Sequence, residues 1–160
     1  MEKRCIIILD MKPELEQELP QVTGFHMEEM IIMRSFGAII QPFGCLLRNI
    51  IMSIYDHPIT DIYLVGERHQ KGQPLVNHES ILDKMRRDGI SEEAIRTIEY
   101  VPHTVGSDLL KWLSGEGAVD LNISKGIKMI QNHPLIPRRI QVHGRTVDLR
   151  TKESEGVPQC

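Results

Sequence analysis

Thiols are scarce in this sequence. Cys5, Cys45 and Cys160 are the only three cysteines, an odd number with no CxxC spacing. That count excludes a disulfide framework and a thiolate zinc knuckle, and it fits a reducing cytoplasm. An excess of one charge is missing too, since 19 Lys and Arg face 22 Asp and Glu for a formal net charge of −3. The basic residues are scattered, adjacent in no run longer than a pair such as Arg138 and Arg139, so nucleic acid is not an expected partner. Long apolar runs are absent as well. The run at residues 5–9 is too short for a secretory h-region or a membrane span, so a cytoplasmic, non-membrane protein is expected. No internal repeat or low-complexity stretch occurs.

What remains is the balance of one ordinary domain: 160 residues, 41% hydrophobic and 26% charged. Short apolar runs at 5–9, 30–34 and 62–65 read as buried strands, each closed by polar or turn residues. Between the second and third, Leu46, Leu47, Ile50, Ile51 and Ile54 recur at helical spacing, which predicts a helix over about 45–55. Strand, helix and strand at that distance imply parallel pairing. Further on, Ile81, Leu82 and Met85 predict a helix over 78–87 ended by Gly89, and Ser91 caps the next one. A short strand is expected at 98–101 and a helix at 107–113. Val119, Ile123, Ile127 and Ile130 predict an amphipathic helix over 119–132, stopped by His133 and Pro134. A strand pair follows, 140–142 and 146–149 about a turn at Gly144, and then a polar tail at 151–160. The fold class is therefore α/β, a mainly parallel sheet flanked by helices with a C-terminal edge strand or hairpin, in one domain over 1–150.

The stretch DIYLVGERHQKG, residues 61–72, is the centre of this plan, because a buried strand ends at Gly66 and opens into a polar loop. Ligands of open α/β sheets sit beyond the carboxyl ends of such strands, so Glu67 to Lys71 is the first place to look for chemistry. Several motifs around it form an order that resembles the β-class carbonic anhydrases over nearly the whole chain. The segment ILDMK looks like that family's C-x-D-x-R, RSFG at 34–37 its R-N-x-G, and VGERHQKG its V-G-H-x-x-C-G loop. The ending, an amphipathic helix, HPLIP and then IQVHGRTVDLRT, is similar to its helix, HPL-type turn and V-x-G-x-x-x-D-x-x-T hairpin. The resemblance implies a homodimer, although the helical arm that opens many members is expected to be missing here.

It also implies a zinc site, and there the sequence departs. The family's ligands fall on Ile8, Glu67 and Gln70, which offer an alkyl group, a carboxylate and a neutral amide. Sliding the loop to use His69 puts Gly72 at the second position. No tetrahedral set of nitrogen and thiolate donors results, so no cofactor is expected, and zinc only through atypical ligands. Lys12 replaces the arginine that would grip Asp10 with two prongs.

Three readings stay open at this point. One is a homologue without zinc or carbon dioxide hydration, acting as a binding or structural dimer. Its pocket for a small anion or metabolite would be lined by Asp10, Lys12, Arg34, Glu67, His69 and Gln70. Another is an enzyme of changed chemistry, with Asp10 and Glu67 or His69 as acid and base. The last keeps carbonic anhydrase activity through atypical metal ligands. Against all three, Glu67, Arg68 and Lys71 equally fit a solvated loop with ion pairs worth under about 1 kcal/mol. Asp10 fits a turn tie better than an acid or base. His26, His103 and His133 lack ligand spacing, and Cys5 and Cys45 read as small buried hydrophobes.

Overall fold

The computed structural model describes residues 2–70, 73–99 and 109–158. Five strands form one sheet: β1 (Arg4–Leu9), β2 (Met30–Arg34), β3 (Ile59–Glu67), β4 (Gln141–Val147) and β5 (Ser154–Gly156). Their order is β2-β1-β3-β4-β5. The first four run parallel, and β5 closes the edge antiparallel to β4. The helices are α1 (Leu19–Thr23), α2 (Cys45–Asp56), α3 (His78–Arg87), α4 (Glu92–Glu99), α5 (Leu109–Ser114) and α6 (Val119–Gln131).

The central strand explains its own sequence. Cys5 to Leu9 are all 0% exposed, as a parallel strand covered on both faces requires, and for that reason the run shows no polar alternation. Ile6 and Ile8 point with Ile62 and Leu64 to one face, where Ile50 and Ile54 of α2 and Ile123, Ile127 and Ile130 of α6 cover them. Each such side chain contributes roughly 1.5–3 kcal/mol of burial. Cys5, Ile7, Leu9, Tyr63 and Val65 point to the other face, under Leu15, Leu19 and Val22. Among the described residues no helix is long and apolar enough to cross a membrane.

The expected elements differ from the observed ones at four places. Gly144 is no turn: it lies within β4, which joins 141–142 to 146–147 in one strand. A Cβ there would stand 2.6 Å from Ile123 Cγ2 and 2.8 Å from Ile127 Cδ1, so the glycine serves the close approach of α6. Gly66 likewise lies inside β3, opposite Thr146, and a Cβ on it would overlap Val119 Cγ1. Residues 98 and 99 belong to helix α4, not to a strand, while 100 and 101 lie outside the described residues. Ile95 of that helix is buried. Its start matches expectation, since the Ser91 hydroxyl accepts the Ala94 N–H at 3.1 Å. Within the segment expected to be a polar tail, Ser154–Gly156 pairs with β4 through residues that carry no apolar pattern.

Candidate functional site at the carboxyl ends of the strands

Asp10 follows β1 directly and ties three segments together. Its N–H donates to the Val65 carbonyl at 2.9 Å, and its Oδ1 accepts the N–H groups of Met11 and Gly37, each at 2.7 Å. The side chain is buried, at 2% exposure, and Oδ2 has no protein partner. Ser35 N–H adds a bond to the Leu9 carbonyl at 2.9 Å, so the end of β1 is locked to the turn after β2. The aspartate therefore holds backbone in place, the role its short polar side chain suits.

Lys12 and Glu67 meet at 3.5 Å, an ion pair too long to be a hydrogen bond. With Lys12 half exposed, its contribution stays under about 1 kcal/mol. His69 has Nε2 sealed from solvent with no protein partner. Gln70 is exposed, and its carbonyl accepts the Gln73 N–H at 2.9 Å. Arg34 is turned to solvent, where it pairs with Glu16. It lines a groove of about 270 Å³ with Phe36, Ile39, Cys45 and Trp112, none of them among the other expected site residues. Lys71, Cys160 and His103 lie outside the described residues.

Three features carried no clear signal in the sequence. Arg68 has Nε and Nη2 buried without a hydrogen-bond partner, and Arg145 has a buried, unpartnered Nε. His143 Nε2 lies 2.9 Å from Asp61 Oδ1, with its ring stacked on Tyr63 at 4.5 Å between centroids. Pairing of β3 with β4 puts His143 opposite Tyr63, a register that sequence alone does not fix. Beside them on the same face, burial pushes the Cys5 thiol up to about 12, helped by the charges of Asp61 and Glu29. Burial, with Asp61 second, also raises Tyr63. Neither group is poised as a nucleophile.

The HPLIP and V-x-G-x-x-x-D-x-x-T segments have plain physical roles. His133 Nδ1 accepts the Leu135 N–H at 3.2 Å and shapes the turn after α6. Asp148 Oδ1 accepts the N–H groups of Arg150 and Thr151 at 2.8 and 3.2 Å, and these two bonds hold its carboxyl below the usual range. That turn carries the chain from β4 into β5.

The mainly parallel sheet flanked by helices, with its antiparallel edge strand, matches the fold of solved β-carbonic anhydrases. The chain resembles the crystal structure of β-carbonic anhydrase isoform I from Trichomonas vaginalis with a TM-score of 0.76 and 22% identity, covering 97% of this chain and 82% of that one. The apo form of a carbon disulfide hydrolase matches with a TM-score of 0.69 and 19% identity, over 99% of this chain and 80% of that one. No family profile matches the sequence. Among curated proteins, "Putative carbonic anhydrase YvdA" of Bacillus subtilis is 32% identical over 156 residues, 97% of this chain and 77% of that protein. "Putative carbonic anhydrase-like protein YbcF" of the same organism is 30% identical over 155 residues, covering 91% of this chain and 82% of that protein. The chain belongs to the β-class carbonic anhydrase family.

The zinc that this family implies does not fit the donors at its positions. Ile8, the residue that the motif resemblance matches to the first thiolate, is 0% exposed and registers between Met33 and Leu64, an alkyl group packed in the core. Glu67 faces the Lys12 ammonium, and Gln70 is exposed. Among the described residues no three His, Cys, Asp or Glu side chains converge on one point. A tetrahedral zinc site takes three or four nitrogen or thiolate donors, and these positions provide none of either.

Proposed function

We propose that this β-carbonic anhydrase homologue neither holds zinc at the family's positions nor hydrates carbon dioxide at an enzymatic rate, and that it acts as a small-ligand-binding or structural dimer. One observation carries the reading: Ile8, which the motif resemblance matches to the first thiolate, is wholly buried among Met33 and Leu64. Water bound to zinc ionises near neutrality, whereas bulk water has a pKa of about 15.7, and no side chain at these positions makes up that difference. Stopped-flow hydration assays with zinc supplied test it. Rates at the uncatalysed level are expected, and fast turnover abolished by a chelator contradicts the proposal.

A second reading rests on Asp10 Oδ2 and His69 Nε2, both buried without a protein partner in the neighbourhood of the strand ends. Such groups suit acid and base work on an unknown substrate. Loss of a newly found activity in Asp10→Asn and His69→Gln alike supports it, and survival of that activity in both variants removes it. The dimer and the cytoplasmic location belong to the same proposal. In α2, Leu47, Ile50 and Ile54 are taken up by the core, while Met52 and Tyr55 remain exposed for a partner. Sedimentation at micromolar concentration decides between monomer and dimer.

A further inference from the structure

Arg68 lies next to Glu67, yet its side chain belongs to a different cavity. This cavity has a volume of about 520 Å³ and is lined by Arg68, Gln21, Thr151, Lys152, Ser154 and Glu155, with Val22 and Glu153 completing it. Its floor is built rigidly. The Arg68 N–H donates to the Val147 carbonyl at 2.7 Å, which fixes the residue to the end of β4. Asp148 holds the turn that presents Thr151 and Lys152, receiving two N–H bonds on Oδ1 while its carbonyl accepts the Lys152 N–H at 2.7 Å. Lys152 adopts a left-handed backbone conformation, with φ of 66°, and its ammonium pairs with Glu18 at 3.1 Å. A non-glycine residue in that region is strained and is kept where the surroundings enforce it.

The Arg68 guanidinium, which lines this cavity, is under-used. Only 26% of the Arg68 side chain is exposed, and Nε and Nη2 donate to no protein atom. Its nearest anion is Glu155 Oε2 at 3.5 Å from Nη2, beyond good hydrogen-bond length, on a side chain that is 71% exposed. A partly buried, permanently charged fork whose Nε and Nη2 lie covered beside Glu155 without a hydrogen bond suits an oxygen pair in its own plane once Glu155 moves aside. Gln21, Thr151 and Ser154, all polar, line the same cavity. Glu153 and Glu155 put negative charge at the same cavity, so a molecule with one anionic head and hydrogen-bond donors fits it better than a polyanion.

We infer that this cavity is a binding site for a small metabolite with a single oxyanion head, carboxylate or phosphate, gripped by Arg68 in place of Glu155. The inference is independent of the zinc reading, since it uses none of the family's ligand positions. The Glu155 carboxylate, carried on β5, acts as a tethered competitor for the same guanidinium.

Calorimetric titration of the full chain with sodium acetate and with sodium phosphate, against sodium chloride at matched ionic strength, tests this. Saturable binding of acetate, of phosphate or of both is expected, and the preferred probe assigns the head group. Arg68→Gln is expected to weaken it by at least about tenfold, as loss of a charge-assisted pair does. Glu155→Gln, an exposed change that leaves the core untouched, is expected to tighten it by about threefold, because the competitor is gone. Binding of neither probe beyond chloride, an unchanged affinity in folded Arg68→Gln, or an unchanged or weaker affinity in Glu155→Gln each overturns the inference. Should Arg68→Gln fail to fold, the Glu155→Gln result decides alone.

Discussion

Asp10 and Gly37 are 27 residues apart in the chain and 2.7 Å apart in space, joined by the glycine N–H and the carboxylate Oδ1. This bond, with the one from Met11, makes the family's aspartate a fastener between the end of β1 and the turn after β2. It does so whatever chemistry the neighbouring loop performs.

Removing the acceptor therefore has a structural cost. Asp10→Ala leaves the Gly37 N–H buried without a partner and is expected to lower stability by about 2–3 kcal/mol. Asp10→Asn keeps an acceptor for both N–H groups and is expected to cost less than about 1 kcal/mol. Denaturant unfolding measures both, and equal losses in the two variants speak against the fastening role.

Gly66 and Val119 define how closely α6 approaches the sheet. A Cβ on Gly66 overlaps Val119 Cγ1, and a β-branched side chain has little freedom to turn away. Gly66→Ala is expected to cost about 1–3 kcal/mol through overpacking. In a Val119→Ala background the same change is expected to cost less by at least about 0.5 kcal/mol, a coupling that a double-mutant cycle reads directly. Additive losses refute the proposed contact.

Cys5 gives a pH dependence with a definite sign. Burial raises its folded-state thiol to about 12 from the ordinary 9.0, so the folded protein resists ionisation that the unfolded chain accepts. Stability from this group is intact below about pH 9 and falls as pH rises toward 12, at up to about 1.4 kcal/mol per pH unit. Tyr63, raised for the same reason, adds a loss in the same direction. Unfolding titrations between pH 8 and 11 check the slope. Alkylation followed by peptide mapping provides a second readout: at pH 8 Cys45, which is exposed, is labelled while Cys5 is not.

Much of this fold is legible in the residues because burial on two faces leaves a mark in sequence. The run CIIIL names the central strand, and the spacing of Val119, Ile123, Ile127 and Ile130 names α6. Glycines misled where packing decides their role, since Gly66 and Gly144 look like breaks but make room for Val119, Ile123 and Ile127. Strand β5 was hidden, as Ser154, Glu155 and Gly156 are exposed and lack apolar alternation. At the site, the proposal about zinc rests on the residue types of Ile8, Glu67 and Gln70 at motif spacing, which the zinc content of the protein has still to test. The role of Arg68 could not be read there, because residues 21–22 and 151–155, which line a cavity with it, are brought to it only by the fold.

Restoring the donors offers a positive control for the zinc reading. Ile8→Cys, Glu67→His and Gln70→Cys combined recreate two thiolates and an imidazole at the family's positions and are expected to bind zinc, as read by metal content after desalting. The most direct measurement is the zinc content of the unmodified chain, purified from zinc-supplemented medium and analysed by inductively coupled plasma mass spectrometry. A content close to zero is predicted, and one tightly held zinc per chain contradicts the account.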